Sequence, residues 1–435
     1  MKKGPKFWDK AKKIIPGGNG LLSKRAEMFL PERWPSYYKK AKGVQVQDLD
    51  DNQFIDMSIM GVGTCILGYA DDDVNEKVKE AIDEGNMGTL NSFEEVELTE
   101  LLLSLHPWAG MVRYARTGGE AMAIAVRIAR AFKRKDKVAF CGYHGWHDWY
   151  LAANLASDKS LDGHLLPGLK PLGVPRCLKG TAIPFTYNKI DELENIIQNN
   201  DIGVIVLEPI RHHNPENDFL NKVGDIARKI GAVLIFDEIT SGFRMNVGGV
   251  YKLYNVEPDI VVYGKAMGNG FPIAAIVGKK EIMDVAQESF ISSTFWTERI
   301  GFVAAIATIK KMLKNNVPPH LIKMGNLIKR GWKDLAKKHN LKIKVLGIPP
   351  LATFLFDYGE ENQALHTLFT QEMLDRGFLA SKQVYVSYSH QEEHVRTYLD
   401  NVDEVFGIIK EAINENRVSY LLKGPVAHKG FRRLT

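Results

Sequence analysis

Between about Val112 and Val277, short runs rich in β-branched residues alternate with longer amphipathic stretches. A chain written this way folds around parallel strands joined by crossover helices. The runs are Val112–Ala115, Lys137–Phe140, Gly203–Leu207, Ala232–Phe236 and Asp259–Tyr263. Between the third and fourth, Asn217–Ile230 carries Phe219, Leu220, Val223, Ile226, Ala227 and Ile230 at helical spacing, which predicts a helix with one face on a sheet. The flanks differ. Val44–Asp48 and Phe54–Asp56 alternate like a small antiparallel sheet, and the region after Ile309 mixes helices with isolated strands. Pro318-Pro319 predicts the exit from a long helix, because a double proline cannot continue one. The expectation is an α/β large domain over 61–309 and a smaller α+β domain assembled from 1–60 and 310–435.

Composition narrows the function. With 435 residues, 45% apolar and 25% charged, the chain is neither disordered, collagen-like nor a disulfide scaffold. Its net charge, 57 − 52 = +5, is too small and too scattered for a nucleic-acid binder and suits a small phosphorylated or carboxylated ligand. Cys65, Cys141 and Cys177 lie far apart with no CxxC pair, so neither a disulfide framework nor a zinc site is expected, and a reducing cytoplasm is. The basic stretch Met1–Lys13 runs into Ile14-Ile15-Pro16-Gly17 rather than a continuous apolar segment, and no run of about 18 apolar residues occurs, so neither export nor membrane spanning is expected.

Three features can carry chemistry. Arg116-Thr117-Gly118-Gly119-Glu120 follows a predicted strand and opens an Ala-rich helix, Ala121–Phe132. Glycines admit an anion close to the backbone, and a helix start favours a phosphate, although Gly-Gly here also reads as an ordinary tight turn. Asp237, in Phe236-Asp237-Glu238-Ile239-Thr240, ends a strand apolar enough to be buried on both faces, where open α/β sheets place ligands; it also reads as a cap for the next segment. Lys265 follows another buried strand and sits among Gly264, Gly268 and Gly270, where a lysine is costly unless paired or covalently neutralised; a surface lysine at a strand exit is the plainer reading. Together, a lysine amine, a carboxylate 28 positions earlier and a glycine-rich helix start are what pyridoxal 5'-phosphate (PLP) needs for attachment, ring protonation and phosphate binding.

With Phe236-Asp237-Glu238-Ile239, Pro258-Asp259-Ile260 and Gly264-Lys265 as its core, and Ile15-Pro16-Gly17-Gly18 and Asp48–Asp56 extending it, the chain resembles the class III (ω-type) aminotransferases of the fold-type I PLP family, and within them the glutamate-1-semialdehyde aminomutase branch. The resemblance implies a mainly parallel, seven-stranded-type sheet in the large domain and a homodimer with shared sites. It matches Lys265 to the Schiff-base lysine that also shuttles protons, Asp237 to the partner of the pyridine nitrogen, and Thr117, Gly118 and Gly119 to the phosphate loop. A hydroxyl residue commonly stands where Gly119 is, so one phosphate contact is missing or comes from Thr117. Tyr143 matches the ring stacked on the pyridine, Glu208 the acid beside the phenolic oxygen, and Thr294 a threonine reaching the neighbouring subunit's phosphate. Trp296-Thr297-Glu298-Arg299 replaces the usual Gly-Asn-Pro turn after Thr294.

The remaining candidates face substrate. Arg25 falls near a carboxylate-gripping position, and a guanidinium fork suits a carboxylate; a surface arginine is the alternative. His144 and Trp146, in the aromatic loop Gly142–Tyr150, are expected at the substrate with Trp149 lining the entrance. His144, His147 and Asp148 are too few for a metal site. His212 and His213 are near the site or in exposed loop, and the basic tail His428–Arg433 is a solvated terminus or, in the second reading, folds back to bind an acidic substrate. Leu379–Ser387 lacks the gating glutamate of the aminomutases, which favours transamination. The expected function is a cytoplasmic aminotransferase passing an amino group from an amino-acid donor such as glutamate to the aldehyde or ketone of a small polar metabolite, a sugar among them. The alternatives are the aminomutase reaction and a non-catalytic PLP-binding sensor or scaffold.

Overall fold

The structure, a computed structural model, describes residues 2–434. They divide into two compact units, one from Asp72 to Pro318 and one from both chain ends, up to Asp71 and from Pro319 on.

The central unit is built on seven strands: β1 Met111–Ala115, β2 Lys137–Cys141, β3 Ala182–Pro184, β4 Ile202–Leu207, β5 Val233–Asp237, β6 Ile260–Tyr263 and β7 Ala274–Gly278. Their order is β1-β7-β6-β5-β4-β2-β3. Strands β3, β2, β4, β5 and β6 run parallel, whereas β7 is antiparallel to both β6 and β1. All five expected strands are present to within a residue or two, and β3 and β7 complete the sheet. Every residue of β4, β5, β6 and β7 is buried, as a sheet covered on both faces requires.

Helix α1, Gly118–Lys133, packs on this sheet through Met122, Ala125, Ile128 and Ala129 against Phe140, Val204, Val206, Ile235, Val262 and Ile276. Each such branched side chain contributes roughly 1.5–3 kcal/mol by leaving water. Helix α2, Phe219–Ile230, buries Phe219, Leu220, Val223, Ile226 and Ala227, the face predicted for it. Helix α3, Arg299–Lys314, is capped by the Glu298 carboxylate, which accepts from the Ile300 and Gly301 amides at 2.8 and 3.2 Å. It ends where expected, but Pro318 and Pro319 lie in the first turn of a new helix, Val317–Lys338, the one place where a missing N–H costs nothing.

In the other unit, Tyr38–Lys42, Gln45–Asp48 and Gln53–Met57 form an antiparallel sheet that Phe378–Ala380 joins in parallel. Ile343–Leu346, Leu351–Phe356 and Gln383–Tyr385 make a second, antiparallel sheet. Residues 58–71 belong with these strands: Tyr69 exchanges both backbone hydrogen bonds with Gly43, and its hydroxyl donates to Asp56 at 2.5 Å. Among the described residues, no helix is long and apolar enough to cross a membrane.

Candidate active site

The carboxyl ends of β5 and β6 lie side by side, because Asp237 pairs in register with Val262. Asp237 is therefore carried by a strand that cannot shift without moving the core. Its side chain is 4% exposed. Oδ1 accepts from the Ile239 amide at 3.0 Å, and Oδ2 lies 2.8 Å from His144 Nδ1. The other nitrogen of His144, Nε2, lies 3.1 Å from the Cys141 carbonyl, which can only accept, so Nε2 carries a hydrogen. His144 was expected to face substrate. Instead both its nitrogens are engaged and its side chain is fully buried, with the Trp149 ring stacked at 6.1 Å. Trp149, expected at the entrance, is thus packing behind the carboxylate.

Two residues past β6, Lys265 sits with φ +42°, in the left-handed region that a lysine rarely occupies. Its Nζ donates to Thr240 Oγ1 at 2.9 Å. Burial, then the positive charges of Arg211 and Arg244, push its pKa down to about 7, opposed by Glu208 and Asp237. Hence a substantial fraction of this amine is neutral at physiological pH, the form that attacks a carbonyl. Thr240 also ties in Arg244, whose buried Nε donates to the Thr240 carbonyl at 2.6 Å.

Glu208 follows β4 and is 8% exposed. Its Oε2 accepts from the Tyr143 amide at 3.0 Å and its Oε1 from Arg211 Nη1 at 3.0 Å. Gly142 makes this possible: it has φ +113°, and a Cβ there would stand 2.8 Å from Glu208 Oε2. The Tyr143 ring is half-buried and meets Tyr150 edge-on at 5.9 Å.

Thr117, Gly118 and Gly119 open α1, whose first amides have no acceptor within the helix. Glu120 turns back and accepts from the Arg116 and Thr117 amides at 2.9 and 3.3 Å. Arg116 holds the backbone after Thr294, donating to the Phe295 carbonyl at 2.7 Å, to the Trp296 carbonyl at 3.2 Å and to the Glu298 carbonyl. Thr294 itself is exposed. The aromatic loop closes over the helix start, a Cβ on Gly145 falling 2.8 Å from Gly119 Cα. Beside it the buried Nδ1 of His147 has no hydrogen-bond partner. Trp146 is 68% exposed and stacks on His147, the rings 4.4 Å apart. Arg25 lies in the other unit, where it donates to the Arg432 carbonyl at 3.2 Å and faces the Phe431 ring.

The central unit thus gathers a nucleophilic amine, a fixed carboxylate and a helix start carrying spare donors. A phosphorylated pyridine aldehyde fits this set: the amine can bond its aldehyde, the carboxylate can meet its ring nitrogen, and the close Gly119–Gly145 approach with the orphaned His147 nitrogen leaves donors for its phosphate. Thr240, Arg211 and Arg244 had no role in the sequence reading, and His147 was weighed there only as part of an insufficient metal set. The available signal was an arginine directly after Leu207-Glu208-Pro209-Ile210 and a threonine three residues past Asp237.

Comparison with known proteins agrees. Residues 31–403 match the family described as aminotransferase class-III. The 3-aminobutyryl-CoA aminotransferase of Cloacimonas acidaminovorans is 31% identical over 94% of this chain and 97% of its own. The glutamate-1-semialdehyde 2,1-aminomutase of Methanothrix thermoacetophila is 32% identical over 91% of this chain and 94% of its own. In fold, the FumI protein of Sphingopyxis sp. MTA144, solved in its PLP internal aldimine form, superposes with a TM-score of 0.85 at 20% identity, covering 96% of this chain and 99% of that one.

Proposed function

Because the chain belongs to the class-III aminotransferases, a PLP-dependent family, we propose that it moves an amino group from an amino-acid donor, glutamate, to the aldehyde or ketone of a small polar metabolite. When bound, PLP supplies an aldehyde for amine exchange and a ring that accepts the electrons of a carbanion. Lys265 is the covalent anchor and the base that carries a proton on and off the reacting carbon, a role its lowered pKa suits at neutral pH. Thr240 parks the amine when it is free. Asp237 holds a hydrogen on the ring nitrogen, with its carboxylate aimed by His144 and the Ile239 amide. The Tyr143 ring would cover one face of the cofactor, and Glu208 would stand by its phenolic oxygen. Thr117 and the Gly118 and Gly119 amides take the phosphate.

The observation that carries this reading is the pairing of a Lys265 amine near pKa 7 with a buried, doubly held Asp237 carboxylate at the carboxyl ends of adjacent strands. The guanidiniums of Arg211 and Arg244, whose charges reach Lys265, support an anionic donor. For the acceptor, a sugar or similar hydroxylated carbonyl is our first choice, and the name of the Cloacimonas relative puts acyl-CoA carbonyls in the same screen. We further place the enzyme in the cytoplasm as a homodimer, in which the exposed Thr294 reaches the phosphate of the neighbouring site.

The test is a half-reaction. Purified protein loaded with PLP is mixed with glutamate, and release of 2-oxoglutarate is followed with conversion of the cofactor band. Stoichiometric release supports transamination, and carbonyl compounds are then screened for regeneration. Failure with glutamate alongside isomerisation of glutamate-1-semialdehyde supports the mutase reading suggested by the Methanothrix relative. A chain that binds PLP yet exchanges no amine is the sensor or scaffold.

A further inference from the structure

We propose that His147 completes the phosphate site, its Nδ1–H donating to a phosphate oxygen of PLP from the space that a side chain at position 119 would otherwise fill. This rests on the PLP reading of the same site and extends it to a residue outside the glycine-rich turn. The geometry is specific. A Cβ built on Gly119 would stand 3.2 Å from His147 Nδ1 and 3.3 Å from Cε1, so the imidazole already occupies the position from which a residue-119 hydroxyl would act. The loop comes in this close because Gly145, with φ +102°, takes a path open to glycine and leaves no Cβ against Gly119.

The ring is also aimed. Trp146 stacks on it with 28° between planes, and the His147 carbonyl accepts from the Tyr150 and Leu151 amides at 2.9 and 3.1 Å. Nδ1 is left buried without a partner, a state that folded proteins rarely leave uncompensated. The acids facing it are Glu120 and Asp148. Glu120 is occupied by the Arg116 and Thr117 amides, so its charge is directed away from the first turn. A dianionic phosphate on the free amides of Gly118 and Gly119 would meet the imidazole as a charge-assisted donor.

The test separates phosphate recognition from cofactor binding in general. Dissociation constants for PLP and for pyridoxal, which lacks the phosphate, are measured by absorbance titration of the cofactor-free full chain. His147→Phe keeps a ring to stack on Trp146 but has no donor, and His147→Asn keeps a nitrogen donor near the Nδ1 position. The expected result is that His147→Phe weakens PLP by about 10- to 100-fold, the range for a hydrogen bond to a charged group, with pyridoxal changed less than about threefold. His147→Asn should retain most of the PLP affinity. His147→Ala combined with Gly119→Ser should recover what His147→Ala loses, the serine hydroxyl taking the vacated space. Equal weakening of PLP and pyridoxal, or no weakening of PLP, overturns the proposal. A wild-type chain that binds neither compound is a different result, removing the PLP reading itself.

Discussion

His144 Nδ1 lies 2.8 Å from Asp237 Oδ2, and the ring that makes this contact is clamped from behind by the Cys141 carbonyl and the Trp149 face. The carboxylate is therefore oriented by a side chain 93 positions away that has no exposure of its own. Orientation of this kind acts on the reacting group and leaves substrate contacts alone.

It follows that His144→Ala should lower kcat about 10- to 100-fold, as loss of an orienting partner does elsewhere, with KM for the donor little changed. The absorbance band of bound PLP should shift as the Asp237 contact loosens. A variant with an unaltered spectrum, or one that loses KM and kcat together, contradicts a positioning role.

The environment of Lys265 sets a pH dependence. A folded pKa of about 7 leaves the amine mostly protonated at pH 6 and mostly neutral at pH 8. Covalent capture of PLP, trapped with borohydride at short times, should rise through that interval with a midpoint near 7 and vanish in Lys265→Ala. A midpoint near 10, where an exposed lysine titrates, would show that burial and the two arginines do not act on it.

Next to Asp237, Glu238 is fully buried, its oxygens accepting from the Tyr251 amide at 3.0 Å and the Ser241 hydroxyl at 2.5 Å. Burial, its largest influence, raises its pKa to about 8. A carboxyl raised on folding contributes stability at low pH that is lost as pH climbs through the folded value. The Tm of Glu238→Gln minus that of wild type should therefore grow between pH 5 and 8.5, measured by calorimetry. A difference that stays flat with pH means that Glu238 titrates normally.

Gly142 is a tight approach in the site, with φ +113° and the Glu208 carboxylate against it. Gly142→Ala should cost roughly 1–3 kcal/mol in denaturant unfolding, from backbone strain and displacement of Glu208. It should also lower turnover by disturbing the Tyr143 amide contact. Full stability in this variant would mean that the loop relaxes without consequence.

The sheet was legible because buried parallel strands are written as unbroken apolar runs, and Asp237 and Lys265 stood out as charges at the ends of two of them. Strand β7 was harder to read, since reversal of direction leaves no trace in composition. The contacts of Asp237 with His144, of Lys265 with Thr240 and of Glu208 with the Tyr143 amide join residues 93, 25 and 65 positions apart. Such pairings depend on strand order, which the local pattern does not encode. His144 was accordingly placed before substrate when it backs the carboxylate, and Arg211 went unnoticed because an arginine after a strand is usually a solvated one. Pro318-Pro319 marked a boundary correctly but carried a second meaning, the start of the next helix.

The lysine held at φ +42° implies a conflict between two selective demands on one position. Glycine or asparagine would adopt that backbone at lower cost, and would also spare the interior a cation. Either would abolish the amine. A library randomised at codon 265 and sorted for thermal endurance should thus enrich the very residues that a selection for growth discards, so the durable protein and the working one part company at a single carbon chain.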